Sequence, residues 1–441
     1  MDGVALNAGA MAAAVRDGER SSEELVRACL ERCNAVEDTV AAWAHLDPEF
    51  ALAQATERDQ ARRSGAPLGP LHGVPVGVKD IFDTSDMPTE NGTPLHAGRR
   101  PTWDATVVTL LRAAGAVIMG KTVTTELAVF HPGKTRNPRD PERTPGGSSS
   151  GSAAAVAAGM VPLAIGSQTN GSVIRPAAYC GVYGFKPTWG LISRHGMLKQ
   201  SRHLDHVGVM ARSIEDAALL TEALIAYDDK DPDCRPRARP ALLATAMEDF
   251  PLAPKFAWVR TPAWEQAEPD LHEAFAELIE HLGDQVDEDE LPPLFAEAYD
   301  WHRTILEADL ARGFAKEHER GAAQLSETLR QMIERGQRRL AVDYNRAVDG
   351  IGVLNALVSG IFEWHDVILT PATTGQAPRG LESTGSPVFC TPWTLCGMPA
   401  LTVPLLRGPD GLPIGVQLVA PRGDDARLLR AARWLVERVG E

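Results

Sequence analysis

No stretch of this 441-residue chain reaches the ~18 apolar residues that a membrane-spanning helix needs. The opening Met1-Asp2-Gly3-Val4 has no basic region leading into a long apolar run, so it does not read as a secretory leader. Cysteine is sparse: six residues, at 29, 33, 180, 234, 390 and 396, with no C-x-x-C among them. Cys29 and Cys33 stand four apart on a predicted helix, where shared core packing outweighs a two-ligand metal site. A reducing cytoplasm is the expected compartment. Basic excess is also missing. Lys and Arg number 44 against 59 Asp and Glu, a net charge of −15. That balance disfavours nonspecific binding to nucleic acid or anionic membrane. H-E-x-x-H does not occur, and no Gly-Lys-Ser/Thr follows the glycine-rich turns. His203-Leu204-Asp205-His206 is the one metal-like cluster, and a structural role is expected for it. Neither metal nor cofactor is expected.

What is present is ordinary globular composition, 44% hydrophobic and 23% charged. Short apolar runs bounded by or near Gly or Pro recur at 74–78, 116–119, 161–165, 367–369, 401–403 and 416–419. Such runs suit strands buried on both faces. Helical stretches at 105–114, 153–158 and 214–226 lie between several of them. The alternation predicts an α/β fold with helices on both sides of a sheet. Nearer the start, Ser21-Ser22-Glu23-Glu24 predicts a capping box, and residues 51–63 read as a second helix. Residues 241–364 change texture, with helices predicted at 268–282 and 301–347. This region reads as a helical elaboration near the substrate entrance of one domain spanning 1–441, with a separate small domain as the alternative. Residues 228–233, rich in Asp, are the best linker candidate, though such a segment is more commonly a solvated charged loop.

Three pieces carry chemistry. Lys79 closes the apolar run Val74-Pro75-Val76-Gly77-Val78-Lys79-Asp80. By itself, a lysine at a strand end is ordinarily a snorkelling surface residue. Gly146-Gly147-Ser148-Ser149-Ser150-Gly151-Ser152 runs into an alanine-rich helix whose N-terminus favours developing negative charge. Gln168-Thr169-Asn170-Gly171-Ser172 presents a serine on a tight bend. The backbone N–H groups of Thr169, Asn170, Gly171 and Ser172 would converge on one oxygen, as an oxyanion hole does. A serine hydroxyl is a weak nucleophile without a base. Lysine serves as that base only when neutral, and burial without a counter-charge favours the neutral form. Asp80 must then turn away, and neighbouring strand residues do face opposite sides.

Together, Val78-Lys79-Asp80, the Pro145 to Ala154 serine turn and Asn170-Gly171-Ser172 resemble the amidase signature family. The likeness continues through Gly181-Val182-Tyr183-Gly184-Phe185-Lys186-Pro187-Thr188, Leu204-Asp205-His206-Val207-Gly208, Gly397-Met398-Pro399-Ala400, residues 412–419 and residues 425–429. It spans most of the chain outside 241–364. The resemblance implies a large mixed, twisted sheet flanked by helices. It implies Ser172 as nucleophile, Ser148 as a bridging serine on a cis peptide bond, and Lys79 as general base. It implies hydrolysis of the C–N bond of a small amide through an acyl-enzyme, with carbamates or ureas as alternative substrates. Two positions depart from the pattern. Gln168 and Asn170 stand where many relatives carry aspartate and a small residue. Arg175 directly precedes Pro176, one position later than usual. Both bear on substrate-side contacts, and Asn170 would narrow or polarise the oxyanion turn.

Phe130 and Trp393 are candidate pocket walls, and each is equally a core aromatic. Candidate partners are the small substrate and a second copy of the chain. Rival readings are three. Gly147-Ser148-Ser149-Ser150-Gly151 formally matches G-x-S-x-G, with Ser149 as nucleophile, yet the preceding residues do not form a strand. The chain would alternatively be the amidase-like subunit of an amidotransferase, passing ammonia to a partner, or a noncatalytic binding protein on the same fold.

Overall fold

The apolar runs become strands because their residues are shielded on both sides. In a computed structural model that describes residues 5–440, eleven strands are formed. They are β1 (Trp43–Leu46), β2 (Pro75–Lys79), β3 (Val117–Thr122), β4 (Leu163–Gln168), β5 (Tyr183–Lys186), β6 (His206–Ala211), β7 (Phe256–Val259), β8 (Val286–Asp289), β9 (Val367–Pro371), β10 (Ala400–Arg407) and β11 (Pro413–Val419). Met1–Val4, read above for a leader, lies outside the described residues. The strands join one sheet in the order β1-β3-β2-β4-β6-β5-β10-β11-β9-β7-β8. The sheet is mixed. β2 runs parallel to β3 and β4, and β7 parallel to β8 and β9. The pairs from β4 through β6, β5, β10 and β11 to β9 are antiparallel.

Alternation along the strands sorts side chains to the two faces. Ile118, Leu163 and Ile165 join a core with the helices Thr106–Ala113, Ile214–Ala223, Pro269–Leu282 and Asp425–Gly440. Val117, Met119 and Ala164 join another with Ser22–Val40, Pro48–Arg63 and Ser150–Ala157. The helix Ser22–Val40 starts as expected: Ser21 Oγ accepts from the Glu24 N–H at 3.0 Å, and Glu24 Oε2 accepts from the Ser21 N–H at 2.8 Å. Cys29 and Cys33 are packed on its buried face. Among the described residues, no helix is long and apolar enough to cross a membrane.

Two regions depart from expectation here. Residues 241–364 are not a purely helical elaboration: they also supply β7 and β8, which extend the sheet beyond β9. The helix predicted across 301–347 is broken into Ala298–Gly313, Ala315–Gly321, Glu327–Gly336 and the start of Ala341–Val358. The breaks fall where Leu325 and Leu340 are extended and where Ser326 caps a new helix on the Leu329 N–H. The second correction is at residues 228–233. Asp228, Asp231 and Asp233 are buried, accepting from Thr106, Ser193, Arg194 and Arg202. The segment is a tied loop, neither a linker nor freely solvated, because buried carboxylates need charged or hydroxyl partners.

Candidate active site

Parallel β2 and β4 are neighbours, so their C-terminal ends open at the same edge of the sheet. That edge is where α/β sheets commonly place ligands. Lys79 ends β2 and is wholly buried. Its Nζ donates to Ser148 Oγ at 2.8 Å and to Ser167 Oγ at 2.9 Å. Neither partner is an acid. Burial therefore drives the ammonium well below its usual pKa, and the nearby Asp205 opposes that only in part. The neutral amine is left with a lone pair for a hydroxyl proton. Asp80 does turn away: it pairs with Lys121 at 3.2 Å and accepts from the Glu90 N–H.

The first serine turn is shaped by lack of room. Gly146 has φ +78°, and a Cβ there would lie 2.8 Å from Pro176 Cα. The Gly147–Ser148 peptide is cis. The four serines then separate by partner. Ser149 Oγ donates to the Ser167 carbonyl and accepts from the Ser167 N–H, both at 3.2 Å. Ser150 donates to the Val123 carbonyl, and Ser152 to the Ile165 carbonyl. Ser148 alone of the four reaches the lysine. Ser149, the rival nucleophile, is spent on holding β4 to the turn.

The second turn leaves β4 at Gln168. Gln168 Oε1 accepts from the N–H groups of Val173 and Ile174 at 2.8 and 3.0 Å. It thus satisfies donors at the start of the helix Ile174–Cys180. Thr169 Oγ1 donates to Asp205 at 2.7 Å, and the Thr169 carbonyl accepts from His302 Nε2 at 2.8 Å. A carbonyl only accepts, so that nitrogen carries the proton; burial holds the ring neutral by lowering its pKa to about 4. Asn170 Oδ1 accepts from Thr391 at 2.8 Å. A Cβ on Gly171 would sit 2.9 Å from Pro387 Cβ and 3.2 Å from Cys390 Sγ, so only glycine fits. Among the described residues, the N–H groups of Asn170, Gly171 and Ser172 meet no protein acceptor. They stay available to an oxyanion.

The two turns touch through the Ser149 N–H, which donates to the Ser172 carbonyl at 3.3 Å. No hydrogen bond joins the hydroxyls of Ser148 and Ser172 among the described residues. In ligand-free sites such links commonly tighten only when substrate arrives. Arg175 is fully buried without a carboxylate partner. Its Nε and Nη2 donate to the Gly147 carbonyl at 3.2 and 2.6 Å, and Nη1 to the Gly385 carbonyl at 2.6 Å. The displaced arginine therefore braces the peptide that carries Ser148.

Ser172 opens on a cavity of about 20 Å³ walled by Ala128, Val129, Phe130, Gln200 and Leu306. That is roughly room for one water molecule. Phe130 is on this wall. Trp393 is not: it is fully buried in the core, 6.3 Å from the Phe295 ring. Leu306 and His302 come from the helix Ala298–Gly313, so residues 241–364 do reach the site. Ser167, Asp205 and His302 were not anticipated from sequence. Asp205 belongs to the Leu204 to Gly208 stretch, and its buried carboxyl also accepts from the N–H groups of Gln200 and Ser201. Among the described residues, no three His, Cys, Asp or Glu are grouped to hold a metal ion.

Known proteins match the chain along nearly its whole length. The Amidase family model matches residues 24–429. A glutamyl-tRNA(Gln) amidotransferase subunit from Chloroflexus aggregans (strain MD-66 / DSM 9485) is 36% identical, covering 95% of this chain and 93% of its own. A solved chain from a vestigial complex bearing on the origins of an s-triazine catabolic enzyme aligns with TM-score 0.92 at 28% identity, covering 99% of both chains. Native peptide amidase from Stenotrophomonas maltophilia aligns with TM-score 0.85 at 32% identity, covering 99% of this chain and 97% of that one. With the family model and these relatives matched along nearly the whole chain, and the fold shared, the chain belongs to the amidase signature family.

Proposed function

We propose that the chain hydrolyses the C–N bond of a small amide through an acyl-enzyme on Ser172. The observation that carries this reading is the Lys79 amine, buried, without an acid partner, and 2.8 Å from Ser148 Oγ. Ser172 Oγ attacks the carbonyl carbon and its proton passes to Ser148, whose own proton passes to Lys79. The N–H groups of the 170–172 turn stabilise the tetrahedral oxyanion. The C–N bond breaks as the leaving nitrogen takes the proton from Lys79 by the same route. Water, deprotonated along that path, then releases the acid and frees Ser172. The six free cysteines are all buried, in keeping with a reducing compartment.

A second reading is favoured by the curated relatives: the same acyl-enzyme would form from glutamine, with ammonia passed to a protein partner. One experiment separates the two. The protein alone is incubated with a panel of amides, carbamates, ureas and glutamine, and products and intact protein mass are followed by mass spectrometry. Release of an acid from a non-glutamine amide, with an acyl adduct on Ser172, is the expected result. Turnover of glutamine alone would transfer the assignment to the amidotransferase reading, and no adduct on any substrate would remove both.

Ser167 gives a further prediction. As the second hydroxyl on Lys79, it holds the amine toward Ser148. Ser167→Ala is expected to lower kcat about tenfold, the loss of roughly 1.4 kcal/mol of positioning. Ser167→Thr should restore part of it. Unchanged kcat and an unchanged pH–rate profile in Ser167→Ala would reduce the bond to packing.

A further inference from the structure

Beside the start of the helix Asp425–Gly440, positive charge collects that has no ion-pair partner among the described residues. A cleft of about 440 Å³ opens between Trp189, Arg235, Arg237 and Arg422. It shares no lining residue with the cavity at Ser172. Among the described residues, none of its three arginines forms an ion pair or donates to a carboxylate. The one acid on the wall, Asp233, is already taken: Arg194 reaches Oδ2 at 2.6 Å and Arg202 reaches Oδ1 at 2.9 Å.

Isolated surface arginines without partners are common, because water solvates them well. Three features set this group apart. The chain carries 59 acids against 44 bases, and other arginines nearby find acids, as Arg194, Arg202 and Arg427 do. The three converge on one concave space instead of spreading over a convex face. They are also close enough to feel one another. The pKa of Arg422 is lowered by burial first and by the charges of Arg235 and Arg237 besides. Arg422 is held there by its stack on Trp189, with 5.6 Å between guanidinium and ring centre. Like charges gathered in a cleft are relieved by a bound anion.

We propose that this cleft binds a small phosphorylated molecule. Guanidinium forks match the paired oxygens of a phosphate, and three of them suit a group carrying more than one negative charge. The volume lies within the roughly 300–1,000 Å³ usual for small-molecule sites. The net charge of −15 opposes a long polyanion, which favours a small ligand over a nucleic-acid backbone.

Isothermal titration of the full chain with pyrophosphate tests this. Saturable binding at one site is expected, with Arg235→Ala and Arg237→Ala each weakening it about tenfold. Both residues are exposed, so these variants keep the test open if Arg422→Ala proves unstable. Thermal melting checks the fold, and amide turnover is expected unchanged because the Ser172 cavity is separate. Absence of saturable binding, or equal affinity in the Arg235→Ala/Arg237→Ala double variant, would overturn the proposal. So would tighter binding of a short mixed-sequence RNA than of pyrophosphate.

Discussion

Ser172→Ala is expected to lower kcat by about a million-fold, the scale seen when a nucleophile acting within a catalytic unit is removed. The effect should be this large because no neighbour can substitute. Ser148 is committed to Lys79, and Ser149 is bonded to both backbone groups of Ser167. Folding should not change by more than about 0.5 kcal/mol, since the Ser172 hydroxyl makes no hydrogen bond within the described protein. Steady-state turnover, thermal melting and labelling with a fluorophosphonate probe check the prediction together. Labelling that persists in the variant would move the nucleophile elsewhere.

Lys79→Met is expected to lower kcat about a hundred- to ten-thousand-fold, the range for a positioned general base. The pH dependence gives the sharper signature. The amine works only when neutral, so wild-type activity should rise with pH through the depressed pKa of Lys79 and then level off. That limb should vanish in the variant. Stability should respond in the opposite sense to the usual salt-bridged lysine. Between the depressed folded pKa and the ordinary 10.5, the unfolded chain binds a proton that the folded chain does not. Wild-type stability must therefore fall as pH falls through that window. Lys79→Met lacks this term, so its melting temperature should gain on wild type as the pH is lowered. Calorimetry across neutral and mildly alkaline pH tests the sign. A lysine that is charged when buried would show no such convergence.

The strands that sequence made visible are those buried on both faces, such as β2, β4 and β11, where continuous apolar residues leave little ambiguity. β8 was invisible because Val-Asp-Glu-Asp carries one apolar residue and lies at the sheet edge, where water tolerates the rest. Lys79, Ser148 and Ser172 stood out as candidates because each sits in a distinctive local pattern. The groups that hold them were not. Ser167 matters only because β4 lies beside β2, and His302 only because a helix more than a hundred residues later crosses the 169 carbonyl. Gln168 and Arg175 read as departures on the substrate side; their bonds run to the backbone of the two turns, and Arg175 also lines the pocket at Ser172. Trp393 shows the limit of composition, which cannot tell an aromatic on a wall from one in a core.

The space beside Ser172 is small, about 20 Å³, and Phe130 and Leu306 are on its wall. Changing the bulk of either side chain alters how much of a molecule can come up to Ser172, so selectivity is expected to reside in that wall more than in the two turns.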